Sequence, residues 1–182
     1  MSYDDLLKLY IQKNPEKWYT GNSIPKVGEV RGKIVLLRRY TGNLGIDPGK
    51  WPVNTKGEVN DLNDYTVYIE DWYDVAMTKA QLHEKKDLVL NRMLLSESVN
   101  EKRETKPQLF LTFASGSVPP FSPPILVAWG GYFLWGINDW IIDFLKKVQG
   151  PKHFGIVIMD FIPYEIHKAR ELMWPLIRTN YS

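Results

Sequence analysis

The chain has 182 residues, 44% of them hydrophobic and 24% charged, the balance of a folded globular chain rather than a disordered one. Its length suits one domain of ~100–200 residues with a buried core. Lys and Arg number 23 against 21 Asp and Glu, a net charge of +2 that argues against a nucleic-acid binder; the absence of cysteine excludes a disulfide scaffold, a thiolate zinc site and a cysteine nucleophile. The opening run Ser2-Tyr3-Asp4-Asp5-Leu6-Leu7 is acidic and lacks the basic segment of a signal peptide. The longest nearly uncharged stretch, Pro119 to Asn138, carries four prolines and three glycines. Its continuous part, Ile125 to Ile137, falls short of the ~20 residues that span a bilayer. A soluble chain is the expectation, with the compartment left open.

Ser2 with Asp5 reads as a capping box, and Leu6, Leu9 and Tyr10 form one face of a helix to about Gln12. Ile34-Val35-Leu36-Leu37 is a continuous aliphatic run and predicts a strand buried on both faces. Thr41 to Asn63, rich in Gly, Pro, Asn and Asp, predicts a loop. Tyr65 to Ile69 predicts a second strand. Thr78 and Gln81 form a second capping box, opening a long helix to about Asn100. Leu109 to Phe113 predicts a third strand. A helix follows from about Ile125 to Val148, with a break foreseen at Gly130-Gly131. Ile156 to Met159 predicts the fourth strand, and Glu165 to Arg178 the last helix.

This alternation, with uninterrupted apolar strands, predicts an α/β fold with a mainly parallel sheet covered by helices on both faces. Arg38 and Arg39 close the first strand, Glu70 and Asp71 the second, and Asp160 the fourth. In a β/α barrel, polar groups at the C-terminal strand ends line the active site. A charge there can also simply mark where a strand leaves the core. The recurrence over three strands favours a site.

Three segments together resemble the phosphatidylinositol-specific phospholipase C family, X-domain type, in its bacterial-like and fungal branch. They are Gly32-Lys33-Ile34-Val35-Leu36-Leu37-Arg38-Arg39-Tyr40, Glu70-Asp71-Trp72-Tyr73 and Gly155-Ile156-Val157-Ile158-Met159-Asp160-Phe161. Trp51-Pro52, in the loop between the first two, also resembles that branch. The likeness runs from about residue 5 to the end. It implies the C-terminal half of an irregular TIM-type β/α barrel, with residues 1–182 as a single partial domain. Four strands cannot by themselves close an eight-stranded barrel.

The resemblance also implies a chemistry. A histidine base takes the proton of the inositol 2-hydroxyl, that oxygen attacks phosphorus, and a histidine acid protonates the departing diacylglycerol. Both histidines belong to the family's first half, which precedes this chain's match. Asp160 corresponds to the carboxylate that orients the base. Arg39 corresponds to the guanidinium that donates to inositol hydroxyls, Asp71 to the carboxylate that accepts from them, and Tyr73 to the aromatic ring packed on the inositol face. Glu70 departs from the Gln that bacterial members often carry. The family's calcium ligands also lie in its first half, so no metal or other cofactor is expected. His83, His153 and His167 fall in helices or before a strand and read as structural or surface residues.

The loop Val118-Pro119-Pro120-Phe121-Ser122-Pro123-Pro124 follows the third strand on the rim, where family members insert apolar residues into lipid. Phe121 is the candidate membrane-interface residue; Val127, Phe133 and Leu134 read as buried. The implied partners are phosphatidylinositol or a related inositol phospholipid, a membrane surface, and either the complementary half-barrel or a second copy. Three readings stay open. The chain is the substrate-binding part of a phosphoric diester hydrolase, inactive alone; a non-catalytic module for inositol phosphates or membrane surfaces; or an unrelated α/β domain with an open sheet. The joint presence of Arg39, Asp71, Tyr73 and Asp160 argues against the last.

Overall fold

The computed structural model describes residues 2–102, 105–131, 133–162 and 166–181, and for 166–169 the backbone alone. In chain order the elements are α1 (Tyr3–Ile11), β1 (Trp18–Tyr19), β2 (Ile34–Val35), β3 (Glu58–Asp61), β4 (Thr66–Glu70), α2 (Lys79–Glu101), β5 (Gln108–Phe113), α3 (Pro124–Trp129), α4 (Ile137–Lys147), β6 (Ile156–Ile158) and α5 (Ile166–Arg178). One four-stranded sheet has the order β3-β4-β5-β6, and β1 with β2 forms a separate pair. The chain divides into two compact units, and β4 and β5 each begin in the first and end in the second.

The first unit comprises Met1–Trp51, Val59–Val67 and Lys106–Leu109. Its α1 opens with the expected capping box: Ser2 Oγ accepts the Asp5 N–H at 3.1 Å and Asp5 Oδ2 accepts the Ser2 N–H at 3.0 Å. The predicted apolar face of α1 is exposed, Leu6, Leu9 and Tyr10 included. The helix is instead tethered through Asp4, whose carboxylate accepts from Tyr40 Oη at 2.7 Å and from the Asn43 N–H at 2.8 Å. Those donors hold the Asp4 carboxyl below its ordinary value. Burial, then the bond to Asp4, pushes the Tyr40 phenol up to about 12.

The strand foreseen at Ile34–Leu37 is shorter and lies in the wrong environment for that expectation. β2 covers Ile34 and Val35, pairs in parallel with the two residues of β1, and leaves both side chains exposed. A two-residue partner offers too little surface to bury an aliphatic strand on either face. The predicted loop from Thr41 to Asn63 contains β3, which apolar patterning could not reveal because Glu58, Asn60 and Asp61 are polar. β3 and β4 are neighbours in the sheet with four residues between them, a connection that antiparallel strands permit and parallel ones do not.

The second unit comprises Pro52–Glu58, Tyr68–Thr105 and Phe110–Ser182. β5 and β6 run parallel, with Leu111 opposite Ile156 and Phe113 opposite Ile158. α2 begins at the predicted cap, Thr78, whose hydroxyl accepts the Gln81 N–H at 3.3 Å. The Gln81 side chain reaches back past Thr78 to the Ala76 N–H, at 2.7 Å. Leu82, Val89 and Met93 of α2, Ile141 and Leu145 of α4 and Leu172 of α5 are buried in one core cluster. Each such side chain contributes about 1.5–3 kcal/mol.

The helix foreseen from Ile125 to Val148 is two helices, α3 and α4. The break covers Gly130 to Gly136, longer than the glycine pair suggested. A Cβ on Gly130, which has φ +72°, would stand 2.0 Å from the Leu134 carbonyl oxygen, and one on Gly136 would stand 2.3 Å from that of Ala128. The chain folds back on itself too closely there for any other residue. Val127 is buried as expected, Leu134 is half-buried, and Phe133 is not buried at all: carried on the fold-back, it is 99% exposed. The expected helix start at Glu165 lies outside the described residues.

Candidate functional site

Within the second unit, the chain leaves β4 through Glu70-Asp71-Trp72-Tyr73. The Asp71 N–H donates to the Thr55 carbonyl at 2.9 Å, and the residue is buried. Asn54, with φ 57°, holds the next two residues: its Oδ1 accepts the N–H groups of Tyr73 at 2.8 Å and Asp74 at 2.9 Å. Asn54 Nδ2 donates in turn to Asp74 Oδ2 at 2.9 Å. This side chain takes the place of a backbone turn. Tyr73 keeps its ring at the surface, 36% exposed.

The loops after the neighbouring strands are tied to this one. The Tyr73 carbonyl accepts the Ser117 N–H at 2.7 Å, and Ser122 Oγ accepts the Met77 N–H at 2.7 Å, joining the segment after β5 to the segment after β4. Beyond β6, the Asp160 carbonyl accepts Asn138 Nδ2 at 3.1 Å, and the Phe161 carbonyl accepts the Trp129 indole N–H at 2.8 Å. Asp71, Tyr73 and Asp160 therefore all follow the C-terminal ends of strands in this unit, and Asp160 is half-buried.

Arg39 belongs to the first unit. It lies beyond β2 and lines a pocket of about 360 Å³ with Arg38, Tyr40, Thr41, Asp47 and Trp51. Its guanidinium carbon stands 4.8 Å from the centre of the Trp51 ring. Arg38 is turned inward: it donates to the Gly45 carbonyl at 2.7 Å and to Asp47 Oδ2 at 2.5 Å. Both arginines line the pocket; Arg38 also braces the loop through Gly45 and Asp47, and Arg39 lies over the Trp51 ring.

Two features went unread in the sequence. Lys85 is wholly buried on α2 and donates to Glu70 Oε1 at 2.8 Å and to the Trp72 carbonyl at 2.6 Å. Burial pushes the Glu70 carboxyl up and the Lys85 ammonium down, each opposed by the attraction of the other. The available signal was a lysine inside the stripe Leu82, Val89, Met93 of α2. Asn54 gave none, because asparagine is ordinary in a loop.

His83 is exposed on α2 with its ring edge-on to Trp140, centroids 5.1 Å apart, and His153 is exposed ahead of β6. The His167 side chain lies outside the described residues. Among the described residues no cluster of His, Asp and Glu could hold a metal ion. Nor, among them, is any helix long and apolar enough to cross a membrane. Phe121 is 86% exposed, and Ile125 of α3, Trp135 of the turn before α4 and Phe161 beyond β6 are also exposed.

No protein-family model matches the chain. Among solved structures it is similar to a point variant of the phosphatidylinositol-specific phospholipase C of Staphylococcus aureus. That match has a TM-score of 0.72 and 21% identity, over 100% of this chain and 59% of the other. A second structure of the S. aureus enzyme, from work on modulation of its membrane binding, matches with a TM-score of 0.65 and 21% identity, over 88% of this chain and 52% of the other. The fold is thus that of phosphatidylinositol-specific phospholipase C, a mixed α/β fold with a parallel-rich sheet and flanking helices. The chain spans a little over half the length of the solved structures it matches.

Proposed function

We propose that the chain is the inositol-binding half of a phospholipase C-like β/α barrel, a single partial domain of a phosphoric diester hydrolase acting on phosphatidylinositol or a related inositol phospholipid. The observation that carries this reading is the placement of Asp71 and Tyr73 just past β4 and of Asp160 just past β6, two strands of one sheet with this fold. In a β/α barrel that end is where chemistry is done. Asp71 accepts hydrogen bonds from ring hydroxyls, Tyr73 packs on the ring face, and Arg39 donates from its fork to polyol or phosphate oxygens. Asp160 orients a histidine base and stabilises its imidazolium. The base and the leaving-group acid come from the part of the fold that this chain does not span, so the chain binds headgroup without cleaving it. Calorimetric titration with myo-inositol 1-phosphate tests the reading. Binding that falls on Arg39→Ala and on Asp71→Asn supports it, and no binding to the intact chain removes it.

A second reading, a module for membrane surfaces, is favoured by the exposed Phe121 and Phe133. Aromatic side chains on loops beside a headgroup site can partition into the lipid interface. Co-sedimentation with vesicles containing phosphatidylinositol, and with vesicles of neutral lipid alone, separates the two. Binding that needs Phe121 and Phe133 but not Arg39 or Asp71 supports the surface module.

A further inference from the structure

Asp71 is gripped from both sides by one buried ion pair. Lys85 Nζ bonds Glu70 Oε1 on one flank and the Trp72 carbonyl on the other, at 2.8 and 2.6 Å. Glu70 Oε1 also accepts the Trp72 N–H at 3.1 Å. The ammonium and carboxylate thus close a ring around the backbone of residues 70–72, and the Asp71 N–H is held separately by Thr55. Neither side chain of the pair has solvent-exposed surface to speak of. Such a pair is weak evidence for stability, because apolar residues of similar volume often serve the fold as well. Its geometry, by contrast, fixes the strand end where Asp71 and Tyr73 emerge.

We propose that Lys85 is a positioning residue for the Asp71–Tyr73 edge, holding the carboxylate and the ring in the orientation that receives a polyol headgroup. This rests on the inositol-binding reading above. A lysine placed on the apolar stripe of α2 for packing alone would not need to meet both neighbours of one candidate ligand-binding residue. Glutamine at position 70 would keep an oxygen acceptor for both the Trp72 N–H and Lys85, whereas an apolar pair would not.

The variant Glu70→Leu/Lys85→Met removes both charges at similar volume, with Glu70→Met/Lys85→Leu as a second pair should the first fail to fold. Two measurements are made on each: amide hydrogen exchange, and titration with myo-inositol 1-phosphate. A positioning role predicts core protection at Val89 and Met93 like that of the parent. It also predicts Trp72 exchange faster, and headgroup binding weaker, by about tenfold or more. Glu70→Gln, which keeps an oxygen acceptor for the Trp72 N–H and for Lys85, should leave both nearer the parent's values than the apolar pair does. Parental exchange at Trp72, or parental affinity, in the folded apolar pair would overturn the proposal. If the unaltered chain bound no headgroup, the inositol reading would fall, and the exchange measurement would still decide whether Lys85 positions the edge.

Discussion

The guanidinium of Arg39 lies 4.8 Å from the centre of the Trp51 ring in the wall of one pocket, although the two residues stand twelve apart in the chain; Arg38 bonds Asp47 within the same loop. A cation over an aromatic face at an exposed site contributes about 0.5–1 kcal/mol. Trp51→Leu should therefore weaken myo-inositol 1-phosphate binding about two- to fivefold, by loosening Arg39. Arg39→Lys should cost more, because an ammonium cannot reproduce the planar fork. Titration calorimetry on both variants checks the order; a Trp51→Leu variant weaker than Arg39→Lys would contradict it.

The pairing of Asp4 with Tyr40 predicts two pH limits for the first unit. The Asp4 carboxyl lies below its ordinary value, so its contribution is present above the unfolded-state pKa and is lost as pH falls through the folded one. The Tyr40 phenol is raised to about 12, so its contribution is complete below the ordinary tyrosine range and is lost as pH rises through that value. Thermal unfolding of the parent and of Asp4→Asn should differ at neutral pH and converge in acid. A gap that stayed constant down to strong acid would show that Asp4 ionisation is not involved.

Activity gives a sharper outcome. The chain alone should release no inositol phosphate from phosphatidylinositol vesicles at enzymatic rates: of the histidines with described side chains, His83 sits on α2 edge-on to Trp140 and His153 precedes β6, so neither directly follows a strand end as Asp71 and Asp160 do. Each missing proton-transfer group typically costs ~10²–10⁴ in rate. Headgroup release assayed on the parent and on Asp160→Ala settles it, and ordinary turnover abolished by Asp160→Ala would show that the acid and base are present after all.

β6 stands at the end of its sheet. Ile158 turns its backbone toward β5, where its carbonyl accepts the Ala114 N–H at 2.7 Å, so the alternate residue Val157 turns its N–H and C=O the other way. An apolar edge strand of this kind recruits further strands. Sedimentation velocity should show association that grows with concentration. Val157→Pro, which removes the outward N–H and spares the bonds to β5, should reduce it. A monomer at every concentration would mean that the edge is protected.

How much of this was written in the sequence differs by element. β4, β5, β6 and α2 were legible because each carries a local signal: runs of aliphatic, aromatic or β-branched residues in the strands, and a Thr cap at the start of the helix. The order of Asp71, Tyr73 and Asp160 behind those strands was legible for the same reason, since a residue just past a strand must leave by that strand's end. What local pattern could not decide was anything set by a distant partner. Ile34 and Val35 read as core, yet their strand found a two-residue neighbour and stayed in solvent. Phe133 read as core until the chain reversed between Gly130 and Gly136. Lys85 drew no reading from the sequence, and only the packing of α2 against the end of β4 made it a buried ion paired with Glu70. Burial depends on what arrives from elsewhere in the chain, and a side chain's own type and spacing cannot report that.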